Sequence, residues 1–343
     1  MQTLKQMFTE IRKNSKFPIL TLLAIVFTVA LTFATLELPR ILNRFLKIYF
    51  PDIGWVGEST EAFMNYARPI GYACIVVVVA LIIVGFKTGK KHLSSFGSIA
   101  FFLPTFGNFA ASMFFLAGIG FLRALWLPFW DSSVSLFKLG DIAYLPYMIV
   151  VYPFALLKID VRTSLAFLAV GAGLLIFFLG TVAWLNGKFE RRDLIDFWIY
   201  KYSRHPQYLG YLIWSYGVML LATHAGFPKG GYNPGPSLPW LLSSLIIICV
   251  ALTEEIRMSK RYGEKYSKYQ GSAPFMLPLP KFVSSAATAP FRILFKKNLP
   301  KSGKEVIYTF VIYSVLLVLL SLPFLLLNWP PDYGWTWWPV THF

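Results

Sequence analysis

The sequence predicts an all-α, multi-pass transmembrane helical bundle of about seven to eight spans. Three observations predict it: the composition, the gathering of apolar residues into long blocks, and the placing of basic residues between them. Of the 343 residues, 56% are hydrophobic and only 14% charged, against roughly 45–50% and about 25% in a soluble domain. The apolar surplus lies in blocks at 18–36, 69–86, 98–122, 141–157, 164–185, 207–224, 238–253 and 306–327. A spanning helix needs about 20 mostly apolar residues to cross roughly 30 Å of hydrocarbon. Several blocks meet that length. The shorter 141–157 and 238–253 leave a tilted or re-entrant helix as the alternative.

Lys and Arg number 32 against 16 Asp and Glu, a net charge of +16. In a soluble chain that excess would point to nucleic acid. Here the cations sit in loops beside apolar blocks, as the positive-inside rule requires, and they favour anionic headgroups. The expected partners are therefore membrane lipids and not nucleic acid. Cys74 and Cys249 both lie inside apolar blocks. They read as small buried hydrophobes, with no disulfide framework or metal cluster. Lys5, Arg12, Lys13 and Lys16 precede the block 18–36. That block is longer than a signal-peptide core and no A-x-A-like site follows it, so it reads as a retained first helix.

Charge also sets the expected orientation. Segment 1–17, the loop 87–92 with Lys87, Lys90 and Lys91, the loop 186–206 and the long segment 257–305 are all basic. They are placed in the cytoplasm. The Gly/Pro-rich stretch 225–237 and the tail 329–343 fall on the far side. Between 92 and 186 there are three apolar blocks, where a return to the same side needs an even number. Either 98–122, with Pro104 and Gly107, or 141–157, with Pro146 and Pro153, is then broken or re-entrant, as buried non-helical backbone permits. The tail carries Trp329, Tyr333, Trp335, Trp337 and Trp338, an interfacial anchor. Three regions are expected: an N-terminal transmembrane region at 1–160, a membrane core at 161–280, and a basic segment with a last helix and aromatic tail at 281–343.

Two polar clusters stand beside the membrane, where ionisable groups are costly and hint at function. The first is Lys201-Tyr202-Ser203-Arg204-His205-Pro206-Gln207-Tyr208-Leu209-Gly210, at the start of the block 207–224. Pro206 suits the first turn of a helix, whose free N–H groups and positive dipole end can hold an anionic group. The alternative is an interfacial belt of Arg204 and His205 reaching for headgroups. The second is Glu254-Glu255 at the end of the block 238–253. If the helix continues, Glu255, Met258, Tyr262, Tyr266 and Tyr269 share one face, a carboxylate followed by phenols that suits a cationic ligand. The alternative is a solvated face on which the acids pair with Arg257, Lys260 or Arg261. One hairpin, 207–253, separates the clusters, and an antiparallel helix pair sets both ends side by side.

The run Arg204-His205-Pro206-Gln207-Tyr208-Leu209-Gly210 resembles the R-H-P-x-Y-x-G motif of integral-membrane methyltransferases, which include isoprenylcysteine carboxyl methyltransferase and the phospholipid methyltransferases. Glu254-Glu255 with Tyr262-Gly263, Tyr266 and Tyr269 is similar to their E-E-x-x-x-x-x-x-[FY]-G-x-x-Y-x-x-Y segment, and Ala273-Pro274-Phe275-Met276-Leu277-Pro278 to their V-P-x-x-x-P ending. The resemblance covers about 186–280. It implies a site for S-adenosylmethionine at the cytoplasmic face, with a lipophilic or lipidated methyl acceptor arriving from the bilayer. It implies Arg204 and Glu254 as catalytic residues beside the acceptor. His205, Pro206, Tyr208, Gly210, Glu255, Tyr262 and Tyr266 are implied to border the cofactor. Methyl transfer needs in-line positioning more than a strong base, so the lack of a catalytic triad is no defect.

The chain departs from that pattern in places. Where many members carry a basic residue shortly before the two glutamates, it has Ile246-Ile247-Ile248-Cys249-Val250-Ala251-Leu252-Thr253. The region 1–160 and the helix at 306–327 have no counterpart. The alternative enzyme is an NADPH-dependent membrane reductase of the sterol or steroid type, which shares H-P-x-Y-x-G. Such reductases carry a tryptophan in Y-G-x-x-W, where this chain has Tyr266. A non-enzymatic transporter or scaffold is the third reading. Transporters show intramembrane charges or paired broken helices, whereas Glu37 and Arg123 sit at block edges.

Overall fold

In hydrocarbon every backbone N–H and C=O needs an internal partner, and continuous helices supply it. The computed structural model of the protein describes residues 16–46, 58–98, 100, 132, 134–224 and 237–327, and among these there is no strand. Helices α1 (Phe17–Leu46) and α2 (Glu58–Thr88) come first among them. A 3₁₀ helix, Val134–Tyr144, runs directly into the short α3 (Leu145–Leu156). Then follow α4 (Arg162–Phe189), a 3₁₀ turn (Trp198–Lys201), α5 (Pro206–His224) and α6 (Ser237–Ser272). Helices α7 (Lys281–Phe295) and α8 (Gly303–Leu326) are the last among the described residues.

Of the expected seven to eight spans, five have a helix long and apolar enough to cross a membrane among the described residues. By length and composition, Arg68–Thr88, Lys138–Leu156, Arg162–Phe189, Ser237–Ser272 and Gly303–Leu326 can cross a membrane, and the apolar part of α1, Phe17–Phe33, is shorter. The block 207–224 does form α5, but it carries Gln207, Tyr208, Tyr211, Trp214, Ser215 and Tyr216 and is not among the five. It tolerates those polar and aromatic groups because it is an interior helix, with Trp214 and Met219 fully buried. The block 98–122, the turn 230–236 and the aromatic tail lie outside the described residues, apart from 98 and 100.

Glycine makes the central contact. Among the described residues helices α4 and α5 form the most extensive pairing. A Cβ on Gly173 would lie 2.2 Å from the Trp214 backbone N, and one on Gly210 would lie 2.4 Å from the Phe177 backbone N. One on Gly217 would meet Val170 N at 2.6 Å. Small residues thus let the two backbones touch, the means by which membrane helices associate without a hydrophobic drive.

The chain end of α2 turns at Gly89 (φ 68°), and a helical stretch at 91–98 doubles back along it. Gly97 packs on Ile82, Gly85 on Ser94, and Ser98 Oγ reaches the Ser243 carbonyl of α6 at 3.0 Å. A Cβ on Gly303 would lie 2.4 Å from the Phe86 carbonyl, so α8 begins beside the end of α2. These contacts gather Lys87, Lys90, Lys91, Lys301 and Lys304 at one end of the bundle, the basic end.

The reading that intramembrane charge stops at block edges is also corrected. Lys138 and Asp141 lie within the span Lys138–Leu156, at 5% and 1% exposure. They interrupt the hydropathy, which is why the block reads as starting only at 141. The 3₁₀ helix buries them between α6 and α8: Ser237 Oγ donates to Asp141 Oδ1 at 2.5 Å, and Ile142 N donates to Ser321 Oγ at 3.3 Å.

Candidate functional site

Helix α5 starts at Pro206, as expected of a proline at N1. The residues just before it, Arg204 and His205, therefore stand at the basic end of the bundle. Glu254 and Glu255 stand beside them on α6, although about fifty positions away in sequence. The hairpin reading of 207–253 is thus met at this end.

Glu255 is the centre. Its side chain is 4% exposed and that of Arg204 5%. Oε1 accepts from Arg204 Nε at 3.0 Å, His205 Nε2 at 2.8 Å and the Tyr266 hydroxyl at 2.7 Å, while Oε2 accepts from Gln270 Nε2 at 2.7 Å. Because the carboxylate can only accept, His205 carries its proton on Nε2. Arg204 is equally engaged. Its Nη1 donates to the Gln270 and Ala273 carbonyls at 2.9 and 3.0 Å, and its backbone N donates to the Pro274 carbonyl at 3.0 Å.

These contacts require a break in α6. A straight helix would put Tyr266 about 16 Å from Glu255 along its axis. Gly263 has φ 52° and ψ −122°, non-helical values that divide α6 into two limbs. A residue without Cβ tolerates that conformation. The limb 264–272 turns back and carries Tyr266 and Gln270 to the carboxylate. The expected single face over Glu255, Met258, Tyr262, Tyr266 and Tyr269 is corrected accordingly. Tyr266 folds back to Glu255. Tyr269 donates to the Tyr200 carbonyl at 2.7 Å. Tyr262 packs in the apolar cluster of Trp198, Tyr200 and Met258, with the Arg261 guanidinium 5.3 Å over its ring. Burial holds the Tyr200 phenol well above its ordinary range, so it stays neutral.

Glu254 differs from its neighbour. Its side chain is 24% exposed, and Oε2 lies 3.8 Å from His205 Nδ1. It stands near the Tyr208 phenol and pairs with Lys91, at the start of the helical stretch 91–98. Phe275 closes the other side of His205, edge-on at 5.1 Å, and lies 5.9 Å from the Arg204 guanidinium. The Tyr208 ring is 5.8 Å from the imidazole.

The residues singled out from the sequence therefore divide. Arg204, His205, Tyr208, Glu254, Glu255 and Tyr266 come together, and Pro206 starts the helix that presents them. Gly210 faces α4, where its added Cβ would meet the Gly173 carbonyl at 2.8 Å. Gln270, Phe275 and Lys91 belong to the cluster and were not singled out. Phe275 lies inside the Ala273–Pro278 run. Gln270 carries no signal until the break at Gly263 is known, and Lys91 reads only as one cation in a basic loop.

Residues 186–273 match a membrane-associated family described as Protein of unknown function (DUF1295). The matched stretch runs from the end of α4 to the end of the second limb of α6 and includes Arg204, His205, Glu254, Glu255, Tyr266 and Gln270. No curated protein and no solved structure matches the chain.

Proposed function

We propose that the protein is a membrane-embedded methyltransferase that moves a methyl group from S-adenosylmethionine to a lipophilic acceptor at the cytoplasmic membrane face. One observation carries the reading. The two motif halves that resemble the membrane methyltransferases, Arg204-His205 and Glu254-Glu255, form one cluster at the basic end of the bundle, hydrogen-bonded through Glu255 with Glu254 beside it.

The donor set fits that cofactor. When bound, S-adenosylmethionine supplies an electrophilic methyl on a sulfonium, together with an ammonium. Glu254 offers a partly exposed carboxylate beside an imidazole and a phenol, a setting that attracts a cation. Glu255 and Arg204 are saturated by the protein's own groups, so a ligand reaching Glu255 must displace one of its donors. In this proposal they fix the imidazole of His205 and the end of α6. Tyr208 and Phe275 flank the imidazole and keep water from its faces. Lys91 neutralises Glu254 until a cationic ligand takes its place. The acceptor is expected to arrive between apolar side chains such as Leu209, Ile213 and Met276, which cluster next to the site.

The test is binding of S-adenosylmethionine and NADPH, side by side, to detergent-purified protein by calorimetry. Binding of S-adenosylmethionine alone is the expected result. Binding of NADPH alone would replace the proposal with the membrane reductase. Binding of neither by folded protein would leave a transporter or scaffold.

A further inference from the structure

We infer that α7, with the loop 296–302 after it, is an in-plane membrane helix that binds the headgroups of anionic phospholipids. The first argument is depth. Helix α8 starts at Gly303 and is long and apolar enough to cross a membrane. Phe295 of α7 stacks on Tyr308 with centroids 5.9 Å apart, and the Tyr313 hydroxyl donates to the Ala287 carbonyl. Tyr308 and Tyr313 lie about 8 and 15 Å along α8 from its start. Helix α7 therefore lies against the first half of a membrane-crossing helix. Its 15 residues extend about 22 Å, too short to cross by itself.

The second argument is the arrangement of its faces. Phe282 and Ile293 are eleven residues apart, three helical turns, and share one face. Both are open, at 76% and 75% exposure, with Leu294 beside them at 62%. Phe291, on the opposite face, is buried and stacks on Phe295 at 4.7 Å. Lys281 and Arg292, again eleven apart, share the flank between those two faces. A helix with a protein face, an open apolar face and a basic flank matches an interfacial element whose apolar side enters the acyl boundary.

The third argument is charge. From 281 to 305 the chain carries Lys281, Arg292, Lys296, Lys297, Lys301 and Lys304 against a single acid, Glu305. That acid is already taken, by Lys297 Nζ at 2.8 Å and the Lys301 backbone N at 2.7 Å. All six cations are exposed. Lys296, Lys297, Lys301 and Lys304 flank the start of α8 at Gly303, where that helix would leave the membrane at the level of lipid phosphates. Each such cation strengthens the hold on an anionic surface about fivefold, the equivalent of about 1 kcal/mol.

The experiment uses the full chain in phosphatidylcholine vesicles doped with phosphatidylglycerol. Spin-labelled phosphatidylglycerol and phosphatidylcholine report which lipid the protein retains. The wild type should prefer phosphatidylglycerol. The variant Lys281→Gln/Lys296→Gln/Lys304→Gln should lose that preference by at least tenfold. The variant Lys188→Gln/Lys260→Gln/Lys268→Gln, which removes equal charge elsewhere, should keep most of it. No preference in the wild type, or equal loss in both variants, overturns the assignment. A nitroxide at Ile293→Cys, on a Cys74→Ser background, gives an independent reading. Relaxation by oxygen dissolved in the bilayer is expected, and relaxation by an aqueous nickel chelate places the helix in water and overturns the proposal.

Discussion

Glu254 and Glu255 are consecutive residues on one helix, yet their surroundings are opposite. Glu255 is sealed, with four donors on its two oxygens and 4% of its side chain exposed. Glu254 is 24% exposed and holds a lysine distant in sequence. The hundred-degree step between neighbours on a helix aims one carboxylate at α5 and the returning limb of α6, and the other at the basic rim. The motif contains both functions: one acid builds the site and the other is open to a ligand. A residue's presence in a motif does not say which part it plays; its exposure and its existing partners do.

The sharpest way to break that comparison is Glu255→Ala. It leaves the Arg204 guanidinium buried without its carboxylate, and removing one partner of a buried pair costs about 3–5 kcal/mol. Unfolding in detergent, followed by circular dichroism, should show that loss as a large fall in Tm. An unchanged Tm would mean that Glu255 is not the clamp described. Next in size are the glycines that position α5. Gly210→Ala drives a methyl group into the α4 backbone and is expected to cost about 1–3 kcal/mol. Gly171, whose Cβ would meet nothing within 4 Å, is the control, and Gly171→Ala should leave Tm in place. Equal effects at both positions would deny the close α4–α5 contact.

Gly263→Ala probes the returning limb. The φ and ψ of Gly263 are strained for any side chain, at about 1–3 kcal/mol. Faster hydrogen exchange confined to 264–272 is expected, because relief of the strain straightens α6 and withdraws Tyr266 and Gln270 from Glu255. Unaltered exchange would show that the break survives without glycine.

Much of this was legible beforehand. The helices are visible because apolar blocks of spanning length leave the backbone little choice. The meeting of Arg204 and His205 with the two glutamates follows from one antiparallel hairpin. The rest depended on what hydropathy averages away. Gly263 has good helix formers on both sides, and a glycine inside a helix costs only about 1 kcal/mol, so nothing in the pattern marks a reversal there. Lys138 and Asp141 depress the local hydropathy and so appear to end a block, whereas tertiary burial between α6 and α8 carries them inside. Helix α5 is apolar enough to stand out as a block, while its tyrosines lower its hydropathy and interior packing accommodates them.

Glu254→Gln should have the smallest effect on stability and the most informative effect on binding. Its pairing with Lys91 lies at a partly exposed rim, where an ion pair contributes at most about 1 kcal/mol, and the amide preserves shape. Tm is therefore expected to move little. If this carboxylate receives the cationic end of S-adenosylmethionine, calorimetric affinity for that cofactor falls at least tenfold, the consequence of losing about 1.4 kcal/mol or more from a charged contact. Lys91→Gln should act in the reverse direction, tightening binding, since the competing cation is gone. Stable Glu254→Gln protein that binds as tightly as wild type would move the ligand's cationic end to another group. The only other carboxylate in the cluster is then Glu255, which can accept it only by releasing one of its present donors.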